Sequence, residues 1–216
     1  MAKNDIFHVC AFANSKVIVM TVSSELLSKY QQLMEKFKSI VIFQSAVGIL
    51  HWDMETKMPP KGIVLRSQQM ALLSQIGHKM MTDPEIGKLI DEIMKHPEYE
   101  SLNQIQKRNV YLIKKEYDEQ TALPEKLVVE TARQRTITTD VWKKAKAAKN
   151  FSMFKPELEK LFELRKEAAE ILMDVKKTPT PYDALIDIFE PKMTSEMITK
   201  IFNKLRDGLT SLIEKC

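Results

Sequence analysis

Glycine and cysteine are both scarce in this sequence, with five and two copies in 216 residues. Few glycines leave few tight β-turns, which favours helices over strands. The two cysteines, Cys10 and Cys216, lie at opposite ends, so they give neither a disulfide framework nor a zinc-ligand spacing. The expectation from cysteine usage is a reducing, cytoplasmic setting. Long hydrophobic runs are lacking too. The most apolar early stretch, Phe7 to Val22, is interrupted by Asn14, Ser15 and Lys16 and is too short to span a bilayer. No membrane partner is expected. Residues 1–22 read as a leader of uncertain order, with Met1 and Met20 as alternative starts, and residues 23–216 as one helical domain. Charge of one sign is also missing. The 33 basic and 29 acidic residues are interspersed and leave a net +4, so nucleic acid is not an expected partner.

What is present is helical periodicity between proline and capping signals. Ser23 or Ser24 caps a first helix with Leu26, Tyr30, Leu33, Phe37, Ile40 and Val47 in steps of three and four, running to Glu55. From Ile40 to Trp52 the apolar residues cover every face, which predicts a central helix surrounded by others. Pro59-Pro60 starts a second helix to Met81, with Leu65, Met70, Leu72, Leu73 and Ile76 as its expected buried set. Thr82-Asp83-Pro84-Glu85 and Ser101-Leu102-Asn103-Gln104 have the form of capping boxes for two more helices, ending near Lys95 and Gln120. The second of these runs through Ile105, Val110, Leu112, Ile113 and Tyr117. Pro124 opens a fifth to Lys149, and Pro156 lies in the first turn of a sixth that ends near Lys177. Thr178-Pro179-Thr180-Pro181 is an extended connection before a short helix, Tyr182 to Phe189. A last helix, capped by Thr194 or Ser195, carries Met197, Ile201, Leu205, Leu209, Leu212 and Ile213 as one apolar stripe. Either it folds back onto the earlier helices or its partner lies in another molecule. The fold class is all-α, an elongated bundle of about seven helices.

The chemistry-bearing residues are sparse. His8, His51, His78 and His96 include no pair at i, i+4, and H-E-x-x-H is absent. His51-Trp52-Asp53-Met54-Glu55 alternates three ligand types, but Asp53 points away from the face shared by His51 and Glu55; it reads as a hydrogen-bonded cluster, with a metal site as the alternative. No nucleophile elbow and no phosphate loop occur. Asp183 and Asp187, one turn apart, are either solvated or capping carboxylates or an acid–base pair. Arg133, Arg135, Lys143, Lys144, Lys146 and Lys149 gather around Trp142 as a solvated helix face or a phosphate-contacting stripe. The sequence's own chemistry yields no catalytic residue and no metal ligand.

A set of segments carries a resemblance. Ser45 to Thr56 (S-A-V-G-I-L-H-W-D-M-E-T), Met58 to Gly62 (M-P-P-K-G) and Arg66 to Gln69 (R-S-Q-Q) are followed by Thr82 to Gly87, Leu123-Pro124-Glu125 and Trp142 to Ala145. Pro181 to Asp187 and Glu190 to Thr194 complete the set. Together they are similar to the N-terminal region of the Taq-type thermostable metallocarboxypeptidases, in family order over about residues 24–215. The resemblance implies an elongated helical metalloenzyme that removes C-terminal residues from peptides, usually as a homodimer with a deep groove. It implies zinc, or cobalt in some members, held by two His of H-E-x-x-H and a later Glu, with the motif Glu activating water. No catalytic residue carries over, because this sequence lacks those motifs, and no cofactor is expected in this chain alone. Trp52, Asp53, Glu55 and Thr56 are expected to fix the junction of the first two helices, and Tyr182 and Asp183 the turn into the short helix.

Three functions follow as expectations. The chain is the N-terminal part of a carboxypeptidase whose catalytic C-terminal half is a separate chain, with peptide as substrate only once complemented. Alternatively it is a non-catalytic binding or oligomerisation module, a homo-oligomer in that case, or it is a truncated relic.

Overall fold

Short capping signals set most of the helix boundaries in the computed structural model, which describes residues 23–213. Ser23 caps α1 (Ser24–Thr56), its hydroxyl accepting from the Leu26 N–H at 3.3 Å, and its own N–H donates to Glu98 at 2.7 Å. At about 1.5 Å per residue α1 is roughly 50 Å long. A 3-10 turn, Pro60–Gly62, leads into α2 (Ile63–Met81). For α3 (Pro84–Met94) the cap is Asp83, accepting from the Glu85 N–H at 3.0 Å with Pro84 at the first helical position. Thr82, expected to share in a capping box, instead donates to the His78 carbonyl and closes α2. The second expected box is displaced likewise. Ser101 belongs to a 3-10 turn, Tyr99–Ser101, and the reciprocal pair is Asn103 with Gln106, both bonds 2.9 Å, opening α4 (Gln104–Ala122).

Pro124 precedes α5 (Glu125–Ala147). The sixth helix starts earlier than expected. Asn150 accepts from the Ser152 N–H at 3.1 Å, so α6 (Phe151–Lys176) begins there and Pro156 lies inside it. Thr180 caps α7 (Pro181–Phe189), and α8 (Ser195–Ile213) follows. The described residues thus form eight α-helices and two 3-10 turns and contain no strand. None of these helices is long and apolar enough to cross a membrane. Residues 1–22, including the alternative start Met20, and Cys216 lie outside the described residues.

The main core joins the N-terminal half of α1 (Leu26, Leu33, Ile40) to α3 (Ile86, Ile90, Ile93) and α4 (Val110, Ile113). Here α3 and α4 approach closely at Gly87, where a β-carbon would stand 2.5 Å from the Tyr117 hydroxyl. A second layer packs α5 between α2 and α6, with α7 on α6. Within it Thr138 donates to the Glu157 carbonyl at 3.1 Å. α8 touches little besides α7.

Burial corrects the sequence expectation in three helices and removes one of two alternatives left open for a fourth. The C-terminal half of α1 is not surrounded: Val41, Ile42, Ile49 and Trp52 are 48–67% exposed, since only α2 flanks this half along its length and Met54 is its one buried residue. In α2 the buried side chains are Arg66, Ser67, Ala71, His78 and Met81, while Leu65, Leu72 and Ile76 are exposed. In α4 Ile105 and Leu112 are exposed, and Val110 and Ile113 carry the packing. The α8 stripe does not fold back onto the earlier helices; Met197, Ile201, Leu205, Leu209, Leu212 and Ile213 all face outwards.

Candidate functional site

Five of the eight segments that carry the sequence resemblance lie at two helix junctions, α1–α2 and α7–α8. At the first, α1 ends in a turn closed by two N–H groups, of Lys57 and Met58, both donating to the Asp53 carbonyl at 2.8 Å. The Asp53 carboxylate accepts from Arg66 Nη2 at 2.6 Å across the Pro-Pro turn. Arg66 also donates from Nε to Gln69 at 3.0 Å and from Nη1 to the Leu50 carbonyl. One largely buried guanidinium therefore ties α2 to α1 through two acceptors, Asp53 and the Leu50 carbonyl, with a third bond to Gln69 of its own helix, a use of the planar fork that a lysine cannot copy. Thr56 donates to the Trp52 carbonyl at 2.7 Å, whereas the Trp52 ring is 58% exposed. Glu55 does not address α2; it pairs with Lys143 of α5 at 2.6 Å. His51 lines a groove described below. The three ligand types of His51 to Glu55 thus diverge to three different surroundings.

The second junction lies between α7 and α8. Tyr182 is exposed, but Asp183 is 1% exposed and fully engaged. Its oxygens accept from the Ser195 N–H at 2.6 Å and the Thr180 hydroxyl at 2.8 Å. The Ser195 N–H, then the Thr180 hydroxyl, hold this carboxyl below the ordinary aspartate range. Asp183 is therefore no solvated carboxylate. Asp187, one turn on, is buried as well and belongs to a different cluster. It accepts from Lys115 Nζ at 2.7 Å and the Lys192 N–H at 2.9 Å, and pairs with Lys176 at 3.2 Å. Burial pushes its pKa up, yet those donors outweigh it and bring the pKa down to about 2. Lys176, its side chain 5% exposed, also pairs with Glu119 at 3.2 Å and donates to the Ala184 carbonyl. Burial raises the Glu119 carboxyl above its ordinary value against the pull of Lys176. The two lysines and two carboxylates of this network neutralise one another.

Sequence reasoning quoted Arg66 only as part of a motif and passed over Lys115, Glu119 and Lys176. The signal for Arg66 was available: an acid and an arginine flank the Pro-Pro turn. For the lysine network no local signal exists, because Lys115 and Asp187 are 72 positions apart.

Along α5 most cations are already occupied. Arg133 pairs with Glu130, Lys143 with Glu55 and Lys144 with Asp140, while Lys146 stands over the Trp142 ring at 5.1 Å. Among the described residues no three His, Cys, Asp or Glu side chains come close enough together to hold a metal ion. The acids that approach one another are held by Lys and Arg, so these residues do not fit a metal centre, and no hydrolytic step is assigned to them.

A groove of about 470 Å³ lies between α1 and α2 on one side and α4, α5 and α6 on the other. Val47, Met54, Leu73 and Leu127 make its apolar lining, with His78 hydrogen-bonded to Gln120 at its edge.

Comparison with known proteins accounts for this arrangement. Residues 32–216 match the family model described as carboxypeptidase Taq (M32) metallopeptidase. The chain is 31% identical over 192 residues to thermostable carboxypeptidase 1 of Thermus thermophilus, covering 86% of this chain and 38% of that protein. The solved structure of Pyrococcus furiosus carboxypeptidase aligns with a TM-score of 0.71 at 30% identity, over 87% of this chain and 36% of the other. Trypanosoma cruzi metallocarboxypeptidase 1 gives the same TM-score at 29% identity, over 87% and 37%. The chain thus spans little more than a third of the length of the curated relatives it matches. With most of its length matched in sequence and in fold, the chain belongs to the carboxypeptidase Taq (M32) metallopeptidase family.

Proposed function

We propose that this chain is the N-terminal portion of a metal-dependent carboxypeptidase, inactive alone, that contributes to release of C-terminal residues from peptides once a polypeptide carrying the H-E-x-x-H helix completes it. The metallopeptidase relatives make a metal the expectation for the complete enzyme, and zinc or cobalt is our reading of which. The observation that carries the proposal is the uncovered apolar surface. Along α8 Met197, Ile201, Leu205, Leu209 and Leu212 are 46–58% exposed at helical spacing. A contiguous apolar face of that length on a soluble chain marks an interaction surface. The exposed residues of α1 and α2 add a second such area. In this reading Trp52, Asp53, Glu55, Thr56, Tyr182 and Asp183 brace the helix junctions on which the completed groove is built, and the enzyme works in the cytoplasm.

The test is to co-purify this chain with a polypeptide comprising the remainder of a family member. A stoichiometric complex with metal-dependent, chelator-sensitive carboxypeptidase activity is expected, and Leu205→Glu with Leu209→Glu should weaken the complex. Two polypeptides that neither associate nor cleave would contradict it.

The same stripe favours a second reading, a non-catalytic module in which α8 meets α8 of another copy. Light scattering separates the two: a dimer that Leu205→Glu dissociates supports the module, and a monomer at high concentration counts against it.

A further inference from the structure

The groove between the α1–α2 pair and the α5–α6 pair has chemistry that the carboxypeptidase reading does not use. Two arginines line it, Arg135 from α5 and Arg165 from α6, and among the described residues neither guanidinium has an ion-pair partner. That sets them apart from Arg133, Lys143 and Lys144, which point elsewhere on α5 and are paired. The single carboxylate of the lining, Glu116, already accepts from Gln120 at 3.1 Å. Thr131, one turn before Arg135 on the same face of α5, also lines the groove.

These observations point to one kind of occupant. The excess of positive charge favours an anion, and guanidinium groups match a carboxylate in planar geometry. The apolar lining favours a hydrocarbon body. A volume of about 470 Å³ lies within the range of small-molecule sites, whereas a protein partner would need a surface of roughly 800 Å² per side. We propose that this groove binds a small organic carboxylate with an apolar body, its charge drawn to Arg135 and Arg165. The site uses none of the residues that the carboxypeptidase reading names.

The test is calorimetric titration of the full chain with octanoate, and with octanol as its uncharged counterpart. Octanoate should bind with a single equivalent per chain and at least about ten-fold more tightly than octanol, as expected for a charge-assisted carboxylate–guanidinium pair. The Arg135→Ala, Arg165→Ala double variant should abolish that difference. Both arginines are exposed, so the variant should keep its helical circular dichroism. Thr131→Phe, which fills the groove, should remove both ligands. Equal binding of the two probes would mean adsorption to the outer apolar faces of α1 and α8 and would overturn the proposal. So would an octanoate affinity that survives the double variant, or no binding at all.

Discussion

The backbone N–H of Ser195 donates a 2.6 Å hydrogen bond to Oδ1 of Asp183, so the first residue of α8 is held by the first turn of α7. The first four N–H groups of a helix lack partners inside it, and here a carboxylate from the preceding helix supplies one. Asp183 is at the same time capped through its own N–H by Thr180, at 3.1 Å. Asp183 therefore links the two starts, its N–H capped by Thr180 at α7 and its carboxylate holding α8.

Replacing that carboxylate should loosen α8 without unfolding the core. For Asp183→Ala we expect amide hydrogen exchange at Ser195 to Ile198 to accelerate by about ten-fold or more, as for a helix end that frays. Exchange at Ile90 and Val110, in the main core, should stay as in the parent. Unchanged protection at the start of α8 would show that Asp183 does not hold it.

The α1–α2 junction makes a separate prediction. Arg66→Lys keeps the charge but loses the fork that reaches Asp53, Gln69 and the Leu50 carbonyl together. It should lower unfolding stability by about 2 kcal/mol, the order expected when hydrogen bonds from a charged donor are lost. A urea midpoint equal to that of the parent would contradict this account of the junction.

Asp187 gives the pH dependence. Folding lowers its pKa from 3.8 to about 2, so the folded chain releases this proton more readily than the unfolded chain does. Its contribution, about 2 kcal/mol, is complete above roughly pH 4 and is lost as the pH falls towards 2. Glu119 acts with the opposite sign, since burial raises its pKa and favours its protonated form in the fold. Asp187→Asn leaves Lys115 and Lys176 with Glu119 alone and should cost about 3 kcal/mol at pH 7. Between pH 4 and 2 the variant's urea midpoint should fall less steeply than the parent's. Parallel pH profiles for the two would refute the assignment.

The fold was legible wherever a local signal marks a boundary. Asp83-Pro84 places a capping side chain and an N1 proline side by side, and α3 starts there; Thr178 to Pro181 read as a connection, whereas Thr180 caps α7 and the helix starts at Pro181. Legibility failed where two signals competed. Pro156 suggested a later start for α6, but Asn150 caps it and the proline sits inside. Burial was the weaker reading. Periodicity tells which residues are apolar and not what covers them, so Leu65, Leu72 and Ile49 were expected to be inside and are exposed. Of the candidate site, the Asp53 turn was legible as a motif, whereas Lys115, Glu119, Lys176 and Asp187 meet only through tertiary packing of α4, α6 and α7. The uncovered stripe of α8 was visible in sequence as an unresolved choice, and packing answers half of it: the helix does not turn back.

The central claim is that these residues cannot hold a catalytic metal by themselves. It is tested most directly by metal analysis of the purified chain after incubation with zinc or cobalt and gel filtration, with peptide cleavage assayed on the same sample. We expect well under one ion per chain and no release of C-terminal residues. One tightly bound ion per chain, with cleavage that a chelator abolishes and metal restores, would contradict the account.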